Sequence, residues 1–334
     1  MASLTNNLVL VTGGSGFIGS NIVRMLSQHA GLRVVVCDDF SHDQSWSYLA
    51  PYLLEDIVLP HQLPQWLESH GRELSAIIHM GAISATTETD VAKIITNNVR
   101  LSFDLWQVAA TYDATFIYAS SAATYGDGRS GFLDDDSPEA LAQLAPLNPY
   151  GWSKHMVDRR FVADTLAGRP APTRWAGLKF FNVYGPNEGH KGSMRSVVHQ
   201  IYPAVAAGDS VRLFKSDHPD YPDGGQLRDF VYVKDCCAVI ERMLSAEQLR
   251  GVFNVGTGEA RSFADLARAV FAAVGREPRI DYIDMPEALK GRYQYFTEAD
   301  TTKLVASGLA PQFHSLEDGI ADYVNGHLVS ELGS

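Results

Sequence analysis

The chain has 334 residues, of which 46% are apolar, and a formal net charge of −12 at pH 7. This length and apolar content predict a folded protein with a substantial core, arranged as one large or two modest domains. The negative charge argues against general binding to nucleic acid or to a membrane surface. No apolar run approaches the ~20 residues of a membrane span, and the N-terminus lacks the pattern of a secretory signal, so we expect a soluble, cytoplasmic protein.

The first predicted elements are a strand, a glycine turn and a helix. Residues 8–12 are a run of aliphatic residues ending in threonine, three spaced glycines follow, and an amphipathic helix is expected at 20–29. Glycines at such a turn allow the backbone to approach a pyrophosphate, which rests on the helix N-terminus. A second predicted strand, 33–37, ends at Asp38, nineteen residues after Gly19, where a ribose-binding carboxylate is expected.

Strand-like and helix-like segments continue to alternate along the first half of the chain. Further strands are predicted at 76–80, 115–119 and 177–182, and further helices near 91–111 and at 150–166. Such alternation builds right-handed crossovers, so the predicted fold class is α/β, a Rossmann-like doubly wound parallel sheet. Ligands of such sheets bind over the carboxyl ends of the strands.

The pair Tyr150 and Lys154 is predicted to carry chemistry. Residues four apart share a helix face, so the ammonium of Lys154 is expected to lie near the phenol of Tyr150 and to lower its pKa. A phenolate near neutral pH is a general base for a sugar hydroxyl, which Ser121 at the end of the preceding strand would hold in line. Ser120 and Thr124 lie in the same turn and compete with Ser121 for this role.

After residue 186 the composition changes to glycine, proline and charged residues. The remaining elements predict a second unit. Residues 216–225 are rich in proline, glycine and aspartate and predict an exposed loop, because the spacing of Asp217, Asp220 and Asp223 does not fit an EF-hand. Residues 229–237 are expected to return the chain to the sheet. A strand at 252–255, a helix at 262–274, a strand at 279–283 and a last helix from Leu316 complete the second unit. We therefore predict a dinucleotide-binding domain at 1–182 plus about 229–260, and an interleaved, smaller C-terminal α/β substrate-binding domain at 183–228 and 261–330.

Three cysteines, Cys37, Cys236 and Cys237, are too few for a disulfide framework. Their spacing does not suggest zinc, and we predict no metal site. We interpret all three as buried small hydrophobic residues.

Several motifs together resemble those of one superfamily. The segments are Thr-Gly-Gly-Ser-Gly-Phe-Ile-Gly at 12–19, Ser-Ser-Ala-Ala-Thr-Tyr-Gly at 120–126, the Tyr150 and Lys154 pair, Phe-Asn-Val-Tyr-Gly-Pro at 181–186 and Arg-Asp-Phe-Val-Tyr-Val at 228–233. The chain resembles the extended short-chain dehydrogenase/reductases, which include nucleotide-sugar epimerases and dehydratases, over nearly its whole length. Shorter motifs at 84–88, 189–194 and 290–294 are similar to those of the ADP-glyceromanno-heptose 6-epimerases within it.

The resemblance implies roles for the polar residues of these motifs. Ser121, Tyr150 and Lys154 match the catalytic triad of the superfamily, in which the lysine also holds the nicotinamide ribose. Lys191 matches the second acid/base residue of the heptose epimerases, opposite the tyrosine. A phosphate contact remains open as its alternative role.

The resemblance also implies cofactor and substrate contacts. Cofactor contacts are implied at Gly13, Gly16, Phe17, Ile18, Gly19, Asp38, Asp39, Asp56, Met80, Gly81, Ala82, Ser84, Asn97, Lys154 and Val183. Substrate contacts are implied at Ser121, Asn182, Lys191, Ser193, Gln200, Phe214, Arg228 and Tyr293. Gln200 stands where the family has a histidine, and the loop before Arg228 is longer than in well-known members. A basic pocket for the anionic substrate would draw on Lys191, Arg195, Lys215, Arg228, Lys290 and Arg292.

The family implies a tightly bound NAD(P), commonly NADP, whose ribose phosphate contacts a lysine beyond the acidic strand end. Residues 38–45 contain carboxylates but no lysine or arginine, and Arg33 lies back at the strand start. Because carboxylates accept hydrogen bonds from ribose hydroxyls and repel a phosphate, Asp38 and Asp39 favour NAD.

The predicted function is epimerisation of ADP-glyceromanno-heptose at C6'' through a transient ketone, in the synthesis of lipopolysaccharide heptose precursors. Since members of the family are often homo-oligomers, the resemblance also implies a homo-oligomer. The first alternative is another nucleotide-sugar epimerase, such as a UDP-sugar 4-epimerase. A dehydratase is less favoured, since those enzymes place an Asp-Glu pair where this chain has Ala122 and Ala123. A non-catalytic nucleotide-sensing protein is a remote alternative, because such proteins typically lose the tyrosine-lysine pair.

Overall fold

The computed structural model of the chain describes residues 7–42, 44–287 and 293–332. Its strands are β1 (Leu8–Thr12), β2 (Arg33–Cys37), β3 (Asp56–Val58), β4 (Leu74–His79), β5 (Thr115–Ser121), β6 (Trp175–Phe180), β7 (Asn182–Tyr184), β8 (Val211–Phe214), β9 (Leu227–Tyr232), β10 (Arg250–Val255), β11 (Ala260–Ser262) and β12 (Ile280–Ile283). Its α-helices are α1 (Phe17–Ser27), α2 (Leu63–His70), α3 (Val91–Ile94), α4 (Leu101–Tyr112), α5 (Pro138–Gln143), α6 (Pro149–Leu166), α7 (Val197–Ala207), α8 (Val233–Ser245), α9 (Phe263–Val274), α10 (Thr302–Ala306), α11 (Leu316–Tyr323) and α12 (Val329–Leu332). Shorter 3-10 turns lie at Ser45–Tyr48, Gly71–Glu73, Ala122–Tyr125 and Gly189–Met194, and π-helical turns at Ile95–Arg100 and Val324–Leu328.

Seven parallel strands form the central sheet in the order β10, β6, β5, β4, β1, β2, β3. Its inner strands are buried on both faces because helices cover them, which is why β1 reads as an unbroken aliphatic run. The chain order reverses between β1 and β4, so a crevice opens there at the carboxyl ends of the strands. The predicted doubly wound parallel sheet is confirmed.

The glycine turn brings α1 against the end of β1. Gly13 has φ of +66°, and a Cβ there would lie 2.6 Å from the backbone of Gly81 after β4. A Cβ on Gly19 would collide with the carbonyl oxygen of Gly13. These positions therefore need glycine, and the N-terminus of α1 points into the crevice.

A second unit is built around its own apolar core. A three-stranded sheet, β11-β9-β7, and a two-stranded sheet, β12-β8, carry α7, α9 and α11, whose buried faces include Val198, Phe271 and Ile320. Residues 229–237 were expected to return the chain to the large sheet, and of these Val231, Cys236 and Cys237 do pack in its core, although β9 itself does not join it. Asp229 lies in β9 of the small sheet, and the return is made by β10.

The predicted division into two domains stays a prediction, because packing crosses it. Leu304 and Leu309 come from the predicted substrate domain but lie in the core of the large sheet, beside α8. Phe17 comes from the predicted dinucleotide domain but packs in the second core. Side chains of each predicted domain therefore pack in the core of the other.

The predicted loop and the predicted state of the cysteines agree with the structure. Residues 216–223 have no regular strand or helix and are mostly exposed. Cys37, Cys236 and Cys237 are all buried with free thiols, and burial raises the pKa of Cys37 to about 12. In the described part of the chain, no helix is long and apolar enough to cross a membrane.

Candidate active site

The end of β5 distinguishes the three hydroxyl residues that competed in the sequence. The Ser120 hydroxyl donates to Asp158 beneath the sheet, at 2.8 Å, and the Thr124 hydroxyl donates to the carbonyl of Ser121. The Ser121 hydroxyl instead forms a hydrogen bond with the phenol of Tyr150 and accepts one from the Ala123 amide. Ser121 is therefore the residue that meets the tyrosine.

Helix α6 presents Tyr150 and Lys154 on consecutive turns. Asn148 caps the helix by accepting a hydrogen bond from the Gly151 amide at 2.8 Å, and Pro149 occupies the first turn, where its missing N–H has no consequence. Lys154 is only 2% exposed, and burial lowers its pKa to about 8. A nearly buried ammonium that titrates near neutral pH marks a functional site.

The expected effect of Lys154 on Tyr150 is not what the structure shows. Burial raises the pKa of the Tyr150 phenol, and the negative charge of Asp158 adds to this rise. The group that lowers the pKa is Ser121, through its hydrogen bond. Desolvation outweighs the Ser121 hydrogen bond, because removing the phenolate from water costs more than this one hydrogen bond returns.

A buried ion pair lies under this site. Lys179 of β6 donates to Asp158 of α6 at 2.9 Å and to the Thr124 hydroxyl at 2.6 Å, and both charged side chains are at most 2% exposed. The other carboxylate oxygen of Asp158 accepts a hydrogen bond from the Tyr118 hydroxyl at 2.9 Å. Because Ser120 and Thr124 flank Ser121, their hydrogen bonds to the Lys179 and Asp158 ion pair fix the end of β5 on both sides of Ser121.

The acidic end of β2 faces the glycine turn. The Ser15 amide donates to the carboxylate of Asp38 at 2.8 Å, so Asp38 is held beside the N-terminus of α1. The side chain of Asp39 is exposed and accepts from the Ser41 amide. Arg33, at the other end of β2, is occupied by ion pairs with Glu55 and Glu73.

A hydrogen-bonded chain connects the glycine turn to helix α6. The ring of His79 bonds to the hydroxyls of Thr12, at 2.6 Å, and Ser102, at 2.9 Å. Ser102 donates its proton to the carbonyl of Asn98, so it must accept from Nε2 of His79, and the imidazole is neutral with Nδ1 accepting from Thr12. Burial lowers the pKa of His79 to about 3, in agreement with this neutral form. Asn98 then donates to Ser153, next to Lys154.

Lys191 lies in the turn Gly189–Met194, on the opposite unit. Its ammonium lies 5.3 Å from the centre of the Phe17 ring at the start of α1, and burial lowers its pKa. The turn is held by Glu188, a fully buried carboxylate that accepts hydrogen bonds from the amide and hydroxyl of Ser196, at 2.5 and 2.6 Å. A lysine with a lowered pKa beside the dinucleotide crevice can exchange protons there.

Arg228 supplies a nearly buried cation. It donates to the carbonyls of Leu227 and Gln294, and its guanidinium lies 5.3 Å from the centre of the Tyr293 ring. The neighbouring Asp229 instead accepts the amides of Thr257, Gly258 and Ala299. Among the residues that the structure describes, no carboxylate pairs with Arg228, so its charge is available to an anion.

A family model described as the NAD dependent epimerase/dehydratase family matches residues 9–256. The chain belongs to this family. An ADP-L-glycero-D-manno-heptose-6-epimerase of Nitratidesulfovibrio vulgaris is 46% identical over 333 residues, covering 97% of this chain and 98% of that protein. The crystal structure of the Helicobacter pylori ADP-L-glycero-D-manno-heptose-6-epimerase has a TM-score of 0.78 at 29% identity, covering 97% of this chain and 96% of that one. The NAD complex of Thermus thermophilus UDP-glucose 4-epimerase has a TM-score of 0.72 at 25% identity, covering 96% and 99%.

As a member of this family, the chain is an enzyme that uses a nicotinamide dinucleotide, and the residues around the glycine turn fit such a group. The cradle of Gly13, Gly16 and Gly19 leaves no room for a Cβ at two of its three positions, and it opens beside Asp38 and the N-terminus of α1. Met80, Gly81 and Ala82 are half-buried at the end of β4, across the crevice. Phe17 is buried, and Ile18 and Val183 are half-buried beside it.

Other predicted contacts of the enzyme lie nearer to solvent. The exposed predicted residues are Asp39, Asp56, Ser84, Asn97, Asn182, Ser193 and Gln200. The amide of Asn97 donates to the carbonyl of Lys93, and that of Gln200 to the carbonyl of Arg195, both within their own segments. The carboxylate of Asp56 accepts from the indole of Trp66 at 2.8 Å. Lys290 and Arg292 lie outside the described residues.

Sequence reasoning missed several residues that organise the enzyme's site. Asn98, fully buried, bonds to both the amide and the carbonyl of Ile83 and so fixes the loop after β4. Asp158 and Lys179 were not singled out either. The i, i+4 spacing from Lys154 to Asp158 was a sequence signal that placed Asp158 near the site, but it did not extend to Lys179.

Proposed function

We propose that the chain interconverts ADP-D-glycero- and ADP-L-glycero-D-manno-heptose by epimerisation at C6''. The observation that carries this proposal is that two half-buried side chains able to transfer protons, Tyr150 and Lys191, border the dinucleotide crevice from different units. An epimerase that works through a ketone must exchange the hydroxyl proton in both orientations of the reacting carbon, and a second acid/base group can serve the second orientation. The near full-length similarity to heptose 6-epimerases supports the choice of sugar.

The residues divide the reaction between them. When bound, a nicotinamide coenzyme would supply the hydride acceptor and donor for C6''. Ser121 orients the C6'' hydroxyl by hydrogen bonding, and Tyr150 exchanges the proton of that hydroxyl in one epimer. Lys191 exchanges it in the other, after the sugar has turned in the pocket. Arg228 binds the diphosphate, since a guanidinium matches phosphate oxygens bidentately.

We further propose that the coenzyme is NAD. Asp38 is fixed beside the glycine turn by Ser15, where it would accept hydrogen bonds from the hydroxyls of an adenosine ribose. The basic residue nearest along the strand, Arg33, is held by two carboxylates. A 2'-phosphate would therefore meet the negative charge of Asp38, and Arg33 would not offset it.

The test is incubation of the purified protein with NAD and ADP-D-glycero-D-manno-heptose, followed by proton NMR of the sugar. The proposal predicts a mixture of both C6'' epimers that is also reached from the ADP-L-glycero epimer. Conversion of UDP-glucose to UDP-galactose, with the ADP-heptose unchanged, would overturn it. Mass spectrometry of the nucleotide released on denaturation identifies the coenzyme.

A further inference from the structure

A group of aromatic side chains extends away from Arg228 into the loop 215–224. The ring of Tyr293 lies 5.6 Å from that of Tyr295, centre to centre. Tyr295 in turn lies 5.3 Å from Tyr221 and 5.1 Å from His218, and the last two rings are 5.3 Å apart. We name His218, Tyr221 and Tyr295 the aromatic trio. The three rings are half-buried or exposed, so part of their surface faces solvent.

The loop is held in this arrangement by hydrogen bonds to its own ends. The Tyr295 hydroxyl accepts from the Asp217 amide at 3.1 Å, and Asp223 accepts from the Ser216 amide at 2.8 Å. The Gly224 amide donates to the carbonyl of Phe214 at 3.0 Å. The trio is therefore preformed rather than a chance contact of a loose loop.

The trio lies at the far end of a continuous path from the reacting groups. Gln294 donates to the carbonyl of Gly126, in the turn that follows Ser121, and its own carbonyl accepts from Arg228. Tyr221 lies close enough to Arg228 to influence its charge. A molecule with its sugar at Ser121 and its diphosphate at Arg228 would thus extend its third part toward the trio.

The side chains around the aromatic trio favour binding of a nucleobase over binding of a phosphate. Asp217 and Asp220 are exposed beside His218, with the Asp220 carboxylate 3.8 Å from the imidazole, so the rim is negative. Carboxylates repel phosphates but accept hydrogen bonds from an exocyclic amine. Aromatic rings stack on nucleobases, and a purine offers the larger face.

From this arrangement we propose that His218, Tyr221 and Tyr295 form the subsite for the adenine base of the substrate. The inference rests on the proposed function, because it takes the substrate to be an ADP-sugar. It assigns recognition of the base to three residues that the predicted substrate contacts did not include. The subsite makes this chain prefer ADP-sugars to UDP-sugars.

The test compares wild-type protein with Tyr221→Ala, His218→Ala and the matched control Tyr221→Phe, which keeps the ring. Saturating NAD occupies the dinucleotide crevice, and calorimetry measures the Kd of ADP, UDP and inorganic pyrophosphate. We expect Tyr221→Ala to weaken ADP about tenfold, equivalent to about 1.4 kcal/mol, and His218→Ala to weaken it in the same direction. Tyr221→Phe and the Kd of pyrophosphate should stay within about twofold of wild type.

Unchanged ADP binding in both alanine variants would overturn the subsite, as would an equal loss for pyrophosphate. The NMR assay of ADP-heptose separates this failure from that of the proposed function. Wild-type epimerisation with an unchanged KM in Tyr221→Ala leaves the function standing and removes the subsite. A protein that binds ADP through Tyr221 but does not epimerise ADP-heptose keeps the base subsite and loses the function.

Discussion

The ammonium of Lys179 lies 2.9 Å from the carboxylate of Asp158, in a place where neither side chain meets solvent. One belongs to β6 and the other to α6, so the pair joins the sheet to the helix that carries Tyr150 and Lys154. Around it, the hydroxyls of Tyr118, Ser120 and Thr124 complete the polar network. The proposed catalytic residues Tyr150 and Lys154 therefore lie on a helix that a buried ion pair joins to the sheet.

Replacing Lys179 by Met should destabilise the protein by about 3–5 kcal/mol, because it leaves the carboxylate of Asp158 buried without a cation. Urea unfolding followed by circular dichroism measures the change. The double variant Lys179→Met, Asp158→Asn removes both charges and should recover part of the loss. A single variant as stable as wild type would show that the pair does not support the fold.

The pairing of Asp38 with the Ser15 amide predicts the coenzyme preference. Asp38→Asn keeps the side-chain shape but removes the charge that opposes a 2'-phosphate. We expect the ratio of the Kd values for NADP and NAD to fall at least tenfold, as measured by calorimetry. Asp209→Asn, an exposed aspartate of the other unit, is the control and should leave the ratio unchanged. An unaltered ratio in Asp38→Asn would contradict the role of this carboxylate.

Buried histidines predict acid sensitivity. Burial lowers the pKa of His155 to about 4, and its Nδ1 has no hydrogen-bond partner. Since the unfolded state takes up a proton near pH 6.5 and the folded state only near pH 4, stability is full above about pH 6.5 and falls as the pH drops toward 4. His155→Leu should show a shallower fall in Tm between pH 7 and 4.5 than wild type. The exposed His61→Gln is the control, and equal slopes in His155→Leu and wild type would contradict the account.

The hydrogen bond between Ser121 and Tyr150 predicts a graded loss of activity. Tyr150→Phe removes the proton-transfer group and should lower kcat by at least about a hundredfold, within the range of general acid–base contributions. Ser121→Ala removes only the orienting partner and should cost less. Tyr112→Phe, remote on α4, serves as the control for a lost phenolic hydroxyl. Should Tyr150→Phe turn over at the wild-type rate, proton transfer must occur elsewhere.

The sequence predicted the elements whose signal is local. The aliphatic runs of β1 and β2, the glycine turn and the proline-capped start of α6 were located within a residue or two. The short edge strand β3 was missed, because three residues carry little periodicity. Helix 91–111 was predicted as continuous, whereas a π-helical turn at Ile95–Arg100 interrupts it and places Asn98 toward the core.

The site residues that belong to local sequence motifs were predictable, whereas contacts between distant segments were not. Tyr150 and Lys154 were predicted from their spacing and Ser121 from its place at the strand end and from the resemblance, but the choice between Ser121 and Ser120 needed the position of Asp158. The direction of the Tyr150 pKa shift was wrong in the sequence interpretation, since desolvation depends on what surrounds the phenol in three dimensions. The substrate contact of Arg228 stays a prediction, and only the fold shows that Asp229 bonds to backbone amides instead of to this guanidinium.

Replacement of Lys191 by Ala tests whether this lysine is the second proton-transfer group. Its ammonium packs over Phe17 in an exposed turn, so the variant should keep its fold and bind NAD normally. Proton NMR of the interconversion of the two ADP-heptose epimers gives the rate. The account predicts a loss of at least about tenfold in turnover, in line with the lower end of general acid–base contributions. Epimerisation at the wild-type rate would show that Lys191 is not the second proton-transfer group.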